Sequence, residues 1–169
     1  IHSAQGASGF MNAVNRYGKA SDLRDFCKKA QMVNMENHKA MFESFAGVQS
    51  NGMLMWMSQS AWPSTVWQTY DYYLEQTAGY YGCKKALEPL HILWDSYLDK
   101  IKVTNNTRQS YKDLVAEVRI YNMDGTLMYS NSKQQDSDSG RVTDCLSLVY
   151  PEGLSSVHFI KLELKDGDK

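Results

Sequence analysis

The spacing of apolar residues divides the chain into two parts with different predicted structure. Residues 21–46 place apolar side chains at helical spacing, at Leu23, Phe26, Ala30, Val33, Met41 and Phe45. Ser21 is the predicted N-cap of this helix, and Gly47 is its predicted end. The run MLMWM (53–57) is continuously apolar, which is typical of a strand buried on both faces of a parallel sheet. A helix followed by a buried strand is the αβ unit of an α/β layer.

After Pro89 the pattern changes to short alternating runs that are rich in β-branched and aromatic residues. Six such runs are predicted as strands, over 90–97, 100–107, 114–122, 126–132, 141–150 and 157–165. Asp124-Gly125 is a hairpin signal between two of them. Six strands at this spacing predict an antiparallel β-sandwich of immunoglobulin type. Because the last run is followed only by the turn-like KDGDK, we expect this sandwich to lack its final strand.

The predicted fold class is therefore α/β plus all-β, with residues 1–88 as the α/β part and residues 89–169 as the sandwich. The net charge of −1, with scattered Lys and Arg, argues against nucleic acid and a membrane surface as partners. No apolar run approaches the ~20 residues that a spanning helix needs. Lacking an initiator Met and a signal-peptide pattern, the sequence is interpreted as an excised piece of a longer gene product.

Cysteine and histidine are too dispersed to predict a disulfide framework or a metal site. The three cysteines have no C-x-x-C spacing, and no two of the four histidines stand four residues apart. We therefore expect buried free thiols, no metal and no cofactor. The triplet Asn105-Asn106-Thr107 fits the N-glycosylation acceptor pattern, although such matches often arise by chance.

The most unusual segment is MLMWMSQSAWPSTVWQTYDYY (53–73), which holds three of the four tryptophans and three of the eleven tyrosines. Its rings alternate with Ser, Thr and Gln rather than with aliphatic residues. Rings mixed with hydrogen-bonding side chains favour a surface that binds a flat, polar and hydroxylated ligand.

Three blocks of the sequence resemble glycoside hydrolase family 2. WMSQSAWPSTVWQTYDYY (56–73) matches the pattern W-x-x-N-x-x-W-P-x-x-x-W-x-x-x-D-Y-Y at the end of that family's catalytic barrel. QTAGYYGCKKALEPLHI (76–92) and NRYGKASDLRDFCKKAQMVNMENHKAMFESF (15–45) resemble the neighbouring stretches of its exo-β-glucosaminidase and endo-β-mannosidase branch. Gln59 stands where the pattern has Asn, which moves the amide by one methylene.

The resemblance implies the last αβ portion of a (β/α)₈ barrel, whose active site lies at the carboxyl ends of the strands. It implies β-linked mannose or glucosamine glycans as substrate, the N-terminal portion of the same enzyme as partner, and a periplasmic or secreted location. The implied substrate-binding residues are Trp56, Gln59, Trp62, Trp67 and Asp71. Alternatives stay open: Trp56 as a platform or as barrel filling, Trp62 and Trp67 as pocket or packing residues, and Asp71 as a substrate ligand or a backbone cap.

A retaining glycosidase needs two carboxyl groups about 5–5.5 Å apart. The candidates in this chain are Glu36, Glu43, Glu75 and Glu88, and none of them is predicted to end a buried strand. We therefore predict no catalytic residue here: the parent protein is a glycosidase, and the isolated chain is inactive.

Two other classes of function compete with this interpretation. A non-catalytic carbohydrate-binding sandwich would carry its aromatic residues in 89–169, where Trp94 is the sole tryptophan. A structural or partner-binding module would instead use exposed apolar surface to associate with another protein.

Overall fold

A computed structural model describes residues 7–64 and 67–166. Within these residues three helices precede six strands: α1 (Ala7–Asn15), α2 (Leu23–Gly47), α3 (Ala78–Ala86), β1 (Leu90–Asp95), β2 (Lys100–Asn105), β3 (Tyr111–Asn122), β4 (Leu127–Ser137), β5 (Arg141–Ser147) and β6 (His158–Asp166). None of the helices in the described ranges is long and apolar enough to cross a membrane.

The chain divides into two compact units. The first combines the chain up to Phe42 with Leu54–Ala86, and the second combines Glu43–Met53 with the chain from Leu87 onward. The last turn of α2 and the segment after it are thus grouped with the strands, although they fall within the predicted 1–88 part.

The long predicted helix is confirmed as α2, but Ser21 is not its cap. Asp22 Oδ1 accepts a hydrogen bond from the Asp25 amide at 2.8 Å, and Asp25 Oδ2 accepts one from the Ser21 amide at 3.0 Å. Because α2 begins at Leu23, Asp22 holds the N-cap position and Asp25 completes a reciprocal capping pair. The predicted cap is therefore wrong by one residue. The segment GCKKALE (82–88) predicts a short helix closed by Pro89; the observed helix, α3, begins four residues earlier and ends at Ala86, and α1 was not predicted.

The predicted buried strand at 53–57 is wrong for this chain. The segment is irregular and pairs with no strand of the described residues, and Leu54 and Trp56 expose 99% and 77% of their surface. A buried parallel strand needs neighbouring strands for its backbone N–H and C=O groups. The described part of the chain offers none to this segment, so its apolar side chains remain in solvent.

The six predicted strands are confirmed and form two antiparallel sheets. One sheet has the order β1-β2-β5, and the other has the order β4-β3-β6. Fully buried side chains from β2 and β3 form the core between them, at Ile101, Val103, Ala116, Val118 and Ile120. The β3–β4 hairpin turns at Asp124-Gly125, as predicted, with Gly125 at φ 86°. The second unit is thus a sandwich in which β3 alternates buried with more exposed residues from Leu114 onward, whereas β2 is buried along its whole length after Lys100.

The glycosylation-like triplet has an internal role in the sandwich. Asn105 is completely buried, and its Nδ2 donates to the carbonyls of Gln109 and Ser137 at 2.9 and 3.2 Å. Its Oδ1 accepts from the amide and the hydroxyl of Thr107 at 2.9 and 2.7 Å. The nitrogen that would carry a glycan is therefore enclosed and already bonded in the folded chain.

Candidate substrate-binding loop

The aromatic loop, residues 54–74, belongs to the first unit and exposes its largest side chains. Trp56, Trp62 and Trp67 have 77%, 64% and 41% of their surface accessible. Further exposed apolar residues on the loop are Leu54, Met57, Tyr72, Tyr73 and Leu74. Monomeric proteins rarely expose so many large apolar side chains within one segment unless that segment contacts a ligand or another protein surface.

The backbone of this loop is nevertheless fixed at its base. The Tyr70 amide donates to the Ser58 carbonyl at 3.0 Å, and the Thr69 hydroxyl donates to the same carbonyl at 3.1 Å. Gln59 and Tyr70 form an isolated parallel bridge. The side chain of Gln59, which is predicted to contact substrate, is exposed. The backbone of the same residue is held by this bridge. These contacts bring together the two ends of the stretch that carries Trp62 and Trp67. The joined ends are the neck of the loop.

The neck is built from buried polar side chains. Ser60 Oγ donates to Gln68 Oε1 at 2.5 Å, and both residues are buried. Thr77 Oγ1 donates to the Gln68 carbonyl at 2.7 Å, and Asn34 Nδ2 of α2 donates to Thr77 Oγ1 at 3.3 Å. Buried polar groups that satisfy one another in this way favour one arrangement of the backbone. Sequence reasoning missed all four residues, because Ser, Thr and Gln in a loop, and Asn on a helix, predict only solvent exposure.

The neck rests on a close contact between α2 and α3 that two glycines permit. A Cβ at Gly82 would lie 2.3 Å from the Met35 carbonyl oxygen, and one at Gly79 would lie 2.9 Å from Asn34 Nδ2 and from His38 Nδ1. Any larger residue at Gly82 would push the helix backbones apart. The sequence does carry a signal for this contact, since AGYYG (78–82) places its two glycines one helical turn apart.

The backbone directly after Trp56 is unusual. Met57 has a φ of 58°, in the left-handed region that a side chain with a Cβ rarely occupies. Such conformations persist where surrounding structure holds them, and they are frequent at functional sites. The conformation turns the chain between Trp56 and the neck residue Ser58.

Asp71 binds its own turn. Its Oδ1 accepts hydrogen bonds from the Tyr73 and Glu75 amides at 2.8 and 3.0 Å, and its own amide donates to the Glu75 carbonyl at 3.0 Å. Leu74, within this turn, has a φ of 64°. This is the side-chain-to-backbone pattern that Asp and Asn share in turns. Of the two roles predicted for Asp71, the structure favours that of a backbone cap.

We expect Asp71→Asn to preserve the loop and Asp71→Ala to loosen it. The Asn Oδ1 can accept the same two amide hydrogens, whereas Ala leaves both without their side-chain acceptor, at a loss of about 1–2 kcal/mol by analogy with a lost cap. Amide hydrogen exchange at Tyr73 and Glu75 measures the difference. A carboxylate that binds substrate would instead make Asn as harmful as Ala to KM, with exchange in the turn unchanged.

The carboxylates considered for catalysis have other surroundings. Glu43 is buried, and its Oε1 lies 2.7 Å from His91 Nε2; Glu88 Oε2 lies 3.3 Å from His91 Nδ1. Glu36 and Glu75 are exposed. In the described fold these two glutamates thus flank the same histidine of the sandwich unit.

The cysteines and potential metal ligands add no chemistry to the loop. All three cysteines are free. Burial raises the pKa of the Cys83 thiol in α3, and it raises the pKa of the Cys145 thiol to about 11. Cys27 is exposed, so the expectation of buried thiols is wrong at that residue. No cluster of three or more His, Cys, Asp or Glu side chains suited to a metal ion occurs among residues 7–64 and 67–166.

Sequence comparison with known proteins identifies relatives of the whole chain. No family model matches. Exo-β-D-glucosaminidase from Amycolatopsis orientalis is 38% identical over 161 residues, which are 90% of this chain and 16% of that protein. Mannosylglycoprotein endo-β-mannosidase from Lilium longiflorum is 37% identical over 116 residues, which are 67% of this chain and 12% of that protein.

Structural comparison agrees with these relatives. The crystal structure of Amycolatopsis orientalis exo-chitosanase superposes with a TM-score of 0.87 at 36% identity, over 93% of this chain and 20% of that one. β-D-mannosidase from Dictyoglomus thermophilum has the same fold, with a TM-score of 0.70 at 17% identity over 96% of this chain and 20% of that one.

The chain is therefore a homologue of the glycosidases of glycoside hydrolase family 2, and the resemblance of its three sequence blocks is confirmed. Its relatives within that family are exo-β-D-glucosaminidases and mannosylglycoprotein endo-β-mannosidase. The chain spans only about a fifth or less of their length: 16% of the exo-β-D-glucosaminidase from Amycolatopsis orientalis and 18% of the one from Streptomyces avermitilis, which is 37% identical over 163 residues.

Proposed function

We propose that this chain forms part of a retaining glycoside hydrolase that cleaves β-linked glucosaminides or mannosides, and that its aromatic loop is a wall of the sugar-binding pocket. The observation that carries the proposal is the combination of exposed tryptophans with an anchored backbone. Trp62 and Trp67 expose 64% and 41% of their surface, yet the loop between Ser60 and Gln68 is closed by a buried hydrogen bond. A fixed loop that holds rings in water is suited to stacking on a sugar.

Trp56 is proposed as the platform beneath the sugar in this pocket, with Trp62 and Trp67 on the loop beside it. The Gln59 amide is proposed to bond a sugar hydroxyl, one methylene away from the position of the family's Asn. Asp71 is assigned an indirect role, since its carboxylate holds the turn that follows the tryptophans.

The same proposal accounts for the unpaired segment 53–57. As the last strand of a (β/α)₈ barrel it would pair with strands outside this chain, and its apolar side chains would then be covered. Residues 1–88 are accordingly proposed as the end of that barrel, and residues 89–169 as an immunoglobulin-like domain. The remaining portion of the enzyme would supply the two catalytic carboxylates, because the relatives are five times as long or more.

The alternative of a carbohydrate-binding sandwich has less support. Trp94, the tryptophan of β1, packs against the core cluster around Ile101, Val118 and Ile120. Its ring therefore fills the sandwich rather than presenting a face to a ligand. The exposed apolar loop does suit a partner-binding module, and the partner we propose for it is the rest of the same enzyme.

Hydrolysis of aryl β-D-glucosaminide and aryl β-D-mannoside tests the proposed function. We expect the full-length protein to cleave at least one of the two, and the 169-residue chain to cleave neither. A full-length protein inactive on both would refute the proposal. A different result would be hydrolysis by the 169-residue chain alone, with that activity lost on replacing Glu36, Glu43, Glu75 or Glu88 by Gln. That result would show that a catalytic carboxylate lies within this chain.

A further inference from the structure

Thr77 occupies the N-cap position of α3, but its hydroxyl faces the aromatic loop. Thr at an N-cap ordinarily accepts a hydrogen bond from an amide in the first turn of its helix. Here Thr77 Oγ1 donates to the Gln68 carbonyl at 2.7 Å and approaches the Thr69 carbonyl at 3.2 Å. The first amide of α3, that of Ala78, donates instead to Gln31 Oε1 of α2 at 2.8 Å. The side chain of Gln31 thus caps the first amide of α3, whereas the Thr77 hydroxyl bonds the aromatic loop.

Gln68 is held at both of its polar ends. Its carbonyl accepts the Thr77 hydroxyl, and its side-chain oxygen accepts the Ser60 hydroxyl at 2.5 Å. The Thr77 amide also donates to the Thr69 carbonyl at 2.9 Å. Ser60, Gln68 and Thr69 are buried and Thr77 is half-buried, so the acceptors of these bonds are largely shielded from water. The two ends of the tryptophan-bearing loop are therefore fixed to the start of α3 through Thr77.

The hydrogen bonds that join Ser60, Gln68 and Thr77 form an anchor for the loop, and this anchor continues into α2. Asn34 Nδ2 of α2 donates to Thr77 Oγ1 at 3.3 Å, so the hydroxyl is both donor and acceptor. The close approach of α3 to α2 at Gly82 keeps Thr77 beside Asn34. Asn34, Thr77, Gln68 and Ser60 form a chain of hydrogen bonds from a 25-residue helix to the base of the loop.

We propose that Thr77 is a positioning residue, whose hydroxyl sets the placement of Trp62 and Trp67 against the substrate. This inference rests on the proposed function for the role of the tryptophans, but the anchor itself is a property of the chain. A binding wall must keep its geometry to within a fraction of an ångström, which requires side chains fixed from behind. The Thr77 hydroxyl bonds the carbonyls of Gln68 and Thr69, and it acts on the tryptophans through Gln68.

Two substitutions at Thr77 separate positioning from general stability. Thr77→Val removes the hydroxyl at nearly constant shape, and Thr77→Ser keeps it. Thr104→Val, at a buried threonine of β2, is the matched control for losing a buried hydroxyl in the other unit. In the 169-residue chain we expect amide hydrogen exchange between Ser60 and Gln68 to rise about tenfold or more in Thr77→Val, to return to the wild-type rate in Thr77→Ser, and to stay unchanged in Thr104→Val.

In the full-length enzyme the same variants report on the sugar site. We expect Thr77→Val to lower kcat/KM about tenfold with most of the change in KM, Thr77→Ser to restore it, and Thr104→Val to leave it unchanged per folded molecule. Unaltered exchange between Ser60 and Gln68 in Thr77→Val would overturn the anchor. Faster exchange with unchanged kcat/KM would overturn the positioning role. Failure of the proposed function is a different result, because the wild-type enzyme would then cleave neither aryl glycoside.

Discussion

Replacing Trp56 by alanine in the full-length enzyme is expected to lower kcat/KM for its aryl glycoside by roughly 10²-fold or more, equivalent to about 3 kcal/mol. In the proposed barrel the ring faces the axis, and the sugar flattens toward an oxocarbenium ion above it. A platform holds the distorted sugar in register with the two carboxylates, so its removal affects positioning as well as contact area. Met57, the residue after Trp56, has a φ of 58° in the left-handed region.

The stability of the 169-residue chain gives the other half of that prediction. Because Trp56 exposes 77% of its surface, Trp56→Ala should change the free energy of unfolding of the chain by less than about 0.5 kcal/mol. Trp94→Ala is the matched control: Trp94 is half-buried and packs on the sandwich core, and a fully buried Trp→Ala change removes ~3–5 kcal/mol, so we expect a loss of up to that size. Denaturant unfolding measures both. If Trp56→Ala destabilised the chain strongly while the folded enzyme kept its activity, Trp56 would be a packing residue.

Gly82→Ala is expected to give a large loss of stability for the addition of one methyl group. The new Cβ would lie 2.3 Å from the Met35 carbonyl oxygen, well inside van der Waals contact. That oxygen belongs to the backbone of α2 and cannot rotate away, so α3 must shift as a whole. Overpacking of this kind typically removes about 1–3 kcal/mol, and we expect the upper end of that range.

Gly9→Ala provides the control for the glycine-to-alanine change itself. Gly9 lies within α1, and a Cβ there meets nothing within 4 Å. Alanine should therefore stabilise the helix by roughly 0.5–1 kcal/mol through its lower backbone entropy. Denaturant unfolding of the two variants should give opposite signs. A Gly82→Ala chain as stable as the wild type would show that α2 and α3 do not pack as closely as described.

The sandwich could be predicted from the sequence because its signals are local. Alternation over β3 places Ala116, Val118 and Ile120 in the core, and Asp124-Gly125 fixes the following turn. The Asp71 cap was also within reach of sequence reasoning, since its hydrogen bonds join residues two and four positions apart.

The segment 53–57 could not be predicted in the same way. Its apolar composition is that of a buried strand, but composition does not say which chain supplies the neighbouring strands. Hydrogen-bond partners for a parallel strand are non-local, and the described residues contain none for this one. The apolar pattern therefore indicates that other residues cover the segment, and it does not predict the conformation of the segment in this chain.

The neck of the loop was missed for a related reason. Asn34 and Thr77 are 43 residues apart, and Gln31 and Ala78 are 47 apart. Polar residues at such separations carry no periodic signal, and their burial follows only from the packing of α3 on α2. The glycines of α3 were visible in the sequence, but their meaning depends on the helix opposite them.

Oxidation of individual tryptophans by N-bromosuccinimide, with and without saturating D-glucosamine or D-mannose, tests the proposed sugar-binding wall most directly. Mass spectrometry of the full-length enzyme follows each residue separately, and the core residue Trp94 serves as an internal reference. We expect the sugar to protect Trp56, Trp62 and Trp67 and to leave the oxidation of Trp94 unchanged. Equal oxidation of those three residues with and without sugar, in an enzyme that hydrolyses its aryl glycoside, would contradict the placement of the aromatic loop in the pocket.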